Sequence, residues 1–219
     1  MRHFSVELEQ LHQKLLEMGG LVESGLHRSV RSLVDRDPAL ANQVIEDEAR
    51  INAAEMDIDK FGTRLLLLNQ PVARDLRFIT AALKINTDLE RMGDLSVNIA
   101  RRSLALLAEP SVRPLIDIPR MAGLVENMVL KCLDAFVKQD AEIAQEVLRS
   151  DDGVDELRDV IYKELVEFMQ KDPATVSRAV NLIFVARDLE RIADHATNIA
   201  EDVVYLVKGV DVRHRALTE

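Results

Sequence analysis

Two stretches of the chain carry the same polar residues in the same order. Residues 88–100 read DLERMGDLSVNIA and residues 188–200 read DLERIADHATNIA, with identity at eight of 13 positions. The polar identities are Asp88/Asp188, Glu90/Glu190, Arg91/Arg191, Asp94/Asp194 and Asn98/Asn198. On a helix, a step of four residues advances about 40° around the axis. Glu90, Asp94 and Asn98 therefore form one slanted stripe, and Glu190, Asp194 and Asn198 form its counterpart. Glu90 falls within about 20° of Ile79 and Val97, and Glu190 falls in line with Ile183, Ala186 and Ala193. A carboxylate turned toward apolar neighbours needs compensation for its lost hydration. Two compensations are open. One is a network of ion pairs, with Arg91, Arg191, Arg187 or Lys84 in reach. The other is a metal ion. Glu and Asp four residues apart repel by a few tenths of a kcal/mol, and a hard cation relieves that repulsion while accepting oxygen ligands, an Asn amide included.

One helix cannot complete such a site. Further ligands are sought on the preceding helix of each half, at Glu48 and Asn52 in the first and at Asp151 and Asp155 in the second. Both are again pairs four apart. Each pair alone also reads as a solvated face, and Asp151-Asp152 as a solvated turn. Glu23 and Glu126 are weaker candidates, read as surface or interhelix polar residues. Glu9 and His12 have the ExxH spacing of di-iron bundles, but that architecture needs the motif twice and it occurs once, so the spacing reads as chance. His195 follows Asp194 but diverges from it by about 100°, which makes it a surface or interface residue. No Gly-rich phosphate loop, GxSxG, HExxH or CxxC is present. Catalytic residues are therefore not expected.

These residues sit on a duplicated scaffold. MGGLVESGLHRSVRSLVDRD (18–37) aligns with MAGLVENMVLKCLDAFVKQD (121–140) at an offset of 103. The register continues through Val44/Val147, Glu48/Asp151, Ile51/Val154 and Lys60/Lys163, then shortens to 100 at the repeated motif. Apolar residues recur at spacings of three and four with no sustained strand alternation. Asp37-Pro38, Gln70-Pro71 and Asp172-Pro173 punctuate the pattern, and proline suits a first helical turn. The expected helices are 4–36, 38–69, 72–107, 118–139, 141–171 and 173–208. The expected architecture is all-α, two tandem antiparallel three-helix bundles over 1–108 and 118–219, joined by a linker at 109–117. Whether the bundles stack end to end or lie side by side stays open. Met18-Gly19-Gly20, echoed as Met121-Ala122-Gly123, signals close helix approach or a bend.

Composition narrows the function. A net charge of −10 argues against a nucleic-acid partner and suits metal cations or a basic protein surface. The single cysteine, Cys132, lies in an apolar helical pattern and reads as core filler in a reducing compartment. No stretch approaches a membrane span, and MRHFSVELEQ lacks the apolar core of a signal peptide, so contact with a membrane is expected only through partners.

The motifs MGGLVE (18–23), QPVARDLR (70–77), TDLERMGD (87–94) and VARDLERIADHATNIAED (185–202) make the chain resemble the PhoU family of phosphate-uptake regulators over nearly its whole length. The resemblance implies two helical bundles, a cytoplasmic protein and a homodimer. It implies a negative regulator of the phosphate-starvation response, connecting the ATPase subunit of the high-affinity phosphate ABC transporter to a phosphate-sensing histidine kinase. It further implies a metal cofactor (iron, zinc, manganese or magnesium) on the acidic stripes, with Glu90, Asp94, Glu190 and Asp194 at the matching positions. Asn98 and Asn198 stand where some members have a third carboxylate, which favours a weak or labile site over a multinuclear cluster. The rivals are a metal-dependent bundle enzyme, a helical scaffold whose stripes are ion-pair networks, and a PhoU-like paralogue with another partner.

Overall fold

The computed structural model describes residues 2–110 and 117–212. The helices are α1 (Arg2–Val34), α2 (Pro38–Asn69), α3 (Ala73–Leu107), α4 (Asp117–Lys138), α5 (Ala141–Lys171) and α6 (Val176–Lys208), with one 3-10 turn at Pro173–Thr175 before α6. The fold is all-α as expected, with no strand among the described residues. The expected linker lies outside the described residues apart from Glu109 and Pro110, and from Asp117, which already opens α4.

The helix ends follow from local chemistry. The Asp37 carboxylate accepts from Ala39 N–H at 2.8 Å, and Pro38 occupies the first turn where its missing N–H costs nothing. Asp140 does the same for α5, accepting from Glu142 and Ile143 N–H, and Asp172 caps the 3-10 turn through Ala174 N–H. Arg36 and Gln139 both adopt a left-handed φ, at 56° and 49°, in equivalent turns of the two halves. The duplication therefore extends to backbone conformation.

The two bundles lie side by side. α3 packs antiparallel along α6, and α1 along α4. Lys84 reaches Asp202 while Arg102 reaches Asp188, so the two ends of α3 meet opposite ends of α6. One continuous core runs through both halves, from Leu11, Leu15 and Met18 on α1 to Ile192, Ile199 and Val203 on α6. A small satellite of Ala41, Val44, Val97 and Ala100 closes the far end of α2 against α3. Burying a Leu or Ile side chain contributes roughly 1.5–3 kcal/mol, so the shared core ties the halves into one stability unit.

Two glycines set helix separations. A Cβ on Gly19 would lie 2.9 Å from a Leu133 methyl, so the Met-Gly-Gly signal marks the close approach of α1 to α4. A Cβ on Gly93 would lie 3.0 Å from Ile51 Cδ1, beside the first acidic stripe. In the second half Ala193 takes the place of Gly93 and the smaller Val154 takes the place of Ile51, both fully buried. The exchange of a larger residue on one helix for a smaller one on the other conserves volume at this contact, as close packing of the two helices requires. Cys132 is buried, its thiol donating to Val129 O and its ionisation pushed up by burial, as a core residue should be.

Candidate functional site

In the second half, α5 supplies Asp151, Asp155 and Arg158, and α6 supplies Glu190 and Asp194. Arg158 sits among the carboxylates. Its Nη1 donates to Glu190 Oε1 at 2.7 Å and to Asp155 Oδ1 at 3.0 Å, while Nε and Nη2 both donate to Asp159 Oδ1 at 3.0 Å. One guanidinium thus serves three carboxylates. Asp151 is half-buried, and burial together with Asp194, Asp155, Asp152 and Glu190 pushes its carboxyl up to about 6. Asp194 is also raised, by burial first and then by Asp155, with His195, Arg158 and Arg191 acting against the shift.

In the first half, α2 supplies Glu48, Asn52 and Glu55, and α3 supplies Glu90, Asp94 and Asn98. Burial, Asp94 and Glu55, in that order, raise the half-buried Glu90 carboxyl, with Arg91 and His195 opposing. Glu48 is drawn to the edge of the group, where it accepts from Arg101 Nη2 at 3.1 Å. Asn52 is exposed and Asn98 half-buried. Glu55 escaped the sequence reading. Its signal was there, three residues beyond Asn52 on the same face of α2. Arg158 was missed in the same way, although it stands 103 residues after Glu55, in the register that pairs Glu48 with Asp151.

Asp88 and Asp188, the first residues of the repeated motif, serve a different purpose. Both lie in the seam between the bundles. Asp188 is 1% exposed and is met by Arg102 Nε at 3.4 Å and Arg187 Nη2 at 3.6 Å. The two guanidiniums pack on Phe184, 4.3 and 4.8 Å from its ring centre. Burial still dominates, and the Asp188 carboxyl is raised despite both arginines. Asp88 contacts His195 Nδ1 at 2.8 Å and accepts from Asn198 Nδ2 at 3.4 Å. His195 is thus an interface residue, and Asn198 sits with Asp88 rather than with Glu190. Lys84 does reach across, to the buried Asp202 at 2.9 Å. Together with Thr87 and Glu201 these residues line a seam groove of about 300 Å³.

The remaining candidates separate. Glu126 pairs with His27 at 3.3 Å across α1 and α4, an interhelix contact. Glu9 accepts from Gln13 at the surface, whereas the His12 ring lies edge-on to Phe78 and Phe136, so the two do not converge.

Among the described residues, no three His, Cys, Asp or Glu side chains converge closely enough to hold a metal ion. A multinuclear cluster does not fit the residues as arranged. A single weakly held cation fits the first stripe better, because Asp94 and Glu55 add negative charge beside Glu90 and Arg91 opposes them without a hydrogen bond among the described residues.

Comparison with known proteins places this geometry. The PhoU domain model matches residues 15–103 and 118–203, one copy per bundle. The chain belongs to the PhoU family. A phosphate-specific transport system accessory protein PhoU homologue of Pseudomonas aeruginosa is 44% identical over 99% of this chain and 90% of its own length. A homologue of the same description from Aquifex aeolicus is 39% identical over 97% of this chain and 96% of its own. The crystal structure of PhoU from Pseudomonas aeruginosa superposes with a TM-score of 0.93 at 42% identity, covering 94% of this chain and all of that one. The phosphate transport system regulatory protein PhoU from Streptococcus pneumoniae gives 0.89 at 30% identity, covering 95% and 99%.

Proposed function

We propose that this protein is a non-enzymatic accessory regulator of phosphate uptake. It acts in the cytoplasm as a homodimer and connects the ATPase subunit of a phosphate ABC transporter to a phosphate-sensing histidine kinase, holding the kinase in its repressing state when phosphate is plentiful. The observation that carries this reading is the match of both bundles, over almost the whole chain, to proteins named as phosphate-transport accessory factors. Two structural features support it. No described helix is long and apolar enough to cross a membrane, so a membrane partner would have to be met from outside the bilayer. The turn joining α2 to α3 leaves Leu67, Leu68 and Val72 at 75%, 68% and 74% exposure, a concentration of apolar surface of the kind that partners cover.

The acidic stripe of the first half is proposed to hold one divalent or ferric ion through Glu90 and Asp94, with Glu48, Asn52, Glu55 and Asn98 around it. The ion would supply positive charge that offsets the mutual repulsion of these groups. Coupling between transporter and kinase requires two states that differ in partner affinity. The test is a pull-down from solubilised membranes of cells grown with ample or limiting phosphate. Recovery of the transporter ATPase or the kinase, changing with phosphate, is expected. Recovery of neither by folded bait would overturn the adaptor reading.

A further inference from the structure

The two acidic stripes descend from one ancestral unit but carry opposite charges at one position, and the difference there bears on their chemistry. The register that pairs buried Ile51 with Val154 and buried Ile58 with Ile161 places Glu55 opposite Arg158. The same place on the helix face therefore carries a carboxylate in one half and a guanidinium in the other. We infer that Arg158 is a built-in replacement for a metal ion, so that the second stripe is a metal-independent ion-pair network. Metal binding, on the reading above, then falls to the first stripe alone.

The geometry shows why one substitution suffices. A cation bound by the second stripe would take oxygens from Glu190 and Asp155, and those are the oxygens that accept Arg158 Nη1 at 2.7 and 3.0 Å. Arg158 is further held by two hydrogen bonds to Asp159, so it cannot swing aside without breaking contacts on both sides. A tethered cation acts at an effective concentration that free metal at micromolar levels does not match. In the first half Glu55 adds negative charge at this place; Arg91 acts on Glu90 through its charge without a hydrogen bond among the described residues, and Arg101 is bonded to Glu48 at the edge of the group. This position alone shifts the second site by two positive charges, and Asp155 and Asp159, where the first half has Asn52 and Met56, add the two carboxylates that Arg158 neutralises in place.

The test combines metal stoichiometry with melting in metal-free buffer, using manganese as the probe on the full chain. Arg158→Glu places the first-half residue at this position, with Asp155 and Asp159 still standing where the first half has Asn52 and Met56. It should melt roughly 2–4 °C or more below wild type in chelator, bind one more equivalent of manganese than wild type, and regain the lost melting temperature when manganese is added. Adding E190Q and D194N to that variant should abolish the extra equivalent. If Arg158→Glu is poorly folded, Arg158→Gln makes the same prediction with a smaller shift. No added equivalent in either variant, or an added one that survives E190Q/D194N, overturns the inference. So does wild-type manganese binding that is lost with E190Q/D194N. The proposed metal role of the first stripe fails separately, if E90Q/D94N leaves the wild-type stoichiometry unchanged.

Discussion

The two halves share a fold and a motif and differ in how each stabilises its clustered carboxylates. Among the described residues, no guanidinium is hydrogen-bonded to Glu55, Glu90 or Asp94 in the first stripe, whereas in the second Arg158 is bonded to Asp155 and Glu190 and acts on Asp194. The seam shows a similar divergence. Asp188 is sealed from solvent under two arginines and Phe184, whereas Asp88 is only half-buried and relies on His195 and Asn198. Duplication preserved the carboxylates of α3 and α6 at Glu90/Glu190 and Asp94/Asp194, while the charges facing them from α2 and α5 diverged. One helix pair can therefore keep its packing yet change from a self-neutralised site to one that calls for an external ion.

The largest expected effect lies at the seam. Replacing Arg102 with Met leaves Asp188 buried with only the more distant Arg187, and removing one partner of a buried pair costs about 3–5 kcal/mol. Arg187 and the proton that Asp188 would take up place the expected loss near 3 kcal/mol, measured by urea unfolding. The matching change at the other end, His195→Ala, should cost about 1 kcal/mol, because Asp88 keeps Asn198 and some water. Equal losses would show that the seam is symmetric after all.

Exchange at the diverged position comes next. Glu55→Arg should carry the second-half solution into the first half, lowering manganese affinity at least tenfold while raising metal-free stability by about 1 kcal/mol. Calorimetric titration checks the first and thermal melting in chelator the second. Unchanged affinity would separate Glu55 from the site.

The smallest effect is a pH dependence. Asp151 has a folded value of about 6 against an ordinary value of 3.8. Between those values the folded chain holds more protons than the unfolded one, so the destabilisation that this group causes is relieved as pH falls from about 7 to 4. Its unfavourable contribution is complete above the folded value. Asp151→Asn should therefore melt higher than wild type at pH 7.5, with the gap closing toward pH 4. A constant gap across that range would mean that the effect of the substitution is not electrostatic.

Much of the scaffold is legible in the residues themselves. Asp-Pro caps and a three-and-four apolar spacing place the helix ends within about two residues, because capping and amphipathicity are local; the exception is the start of α6, expected at 173 and found at Val176 because Pro173–Thr175 forms a 3-10 turn first. Side-by-side packing is not local. It depends on α3 and α6 being apolar on two faces, one toward their own bundle and one toward each other. That also hides the role of Asp188, which lies about 160° around α6 from Glu190 and so faces a different neighbour. The contact of Asn198 with Asp88 has a related origin. The advance of about 40° per four residues accumulates to about 80° between Glu190 and Asn198, enough to carry its amide to the seam. Arg158 and Glu55 could have been found from the repeat register, had cations been compared as carefully as carboxylates.

The most direct measurement is anomalous diffraction from crystals of the wild-type chain soaked in manganese at neutral pH. The account predicts one peak per chain, beside Glu90 and Asp94, with Arg158 still on Glu190. A peak between α5 and α6 at Glu190 and Asp194, with Arg158 displaced, would contradict it.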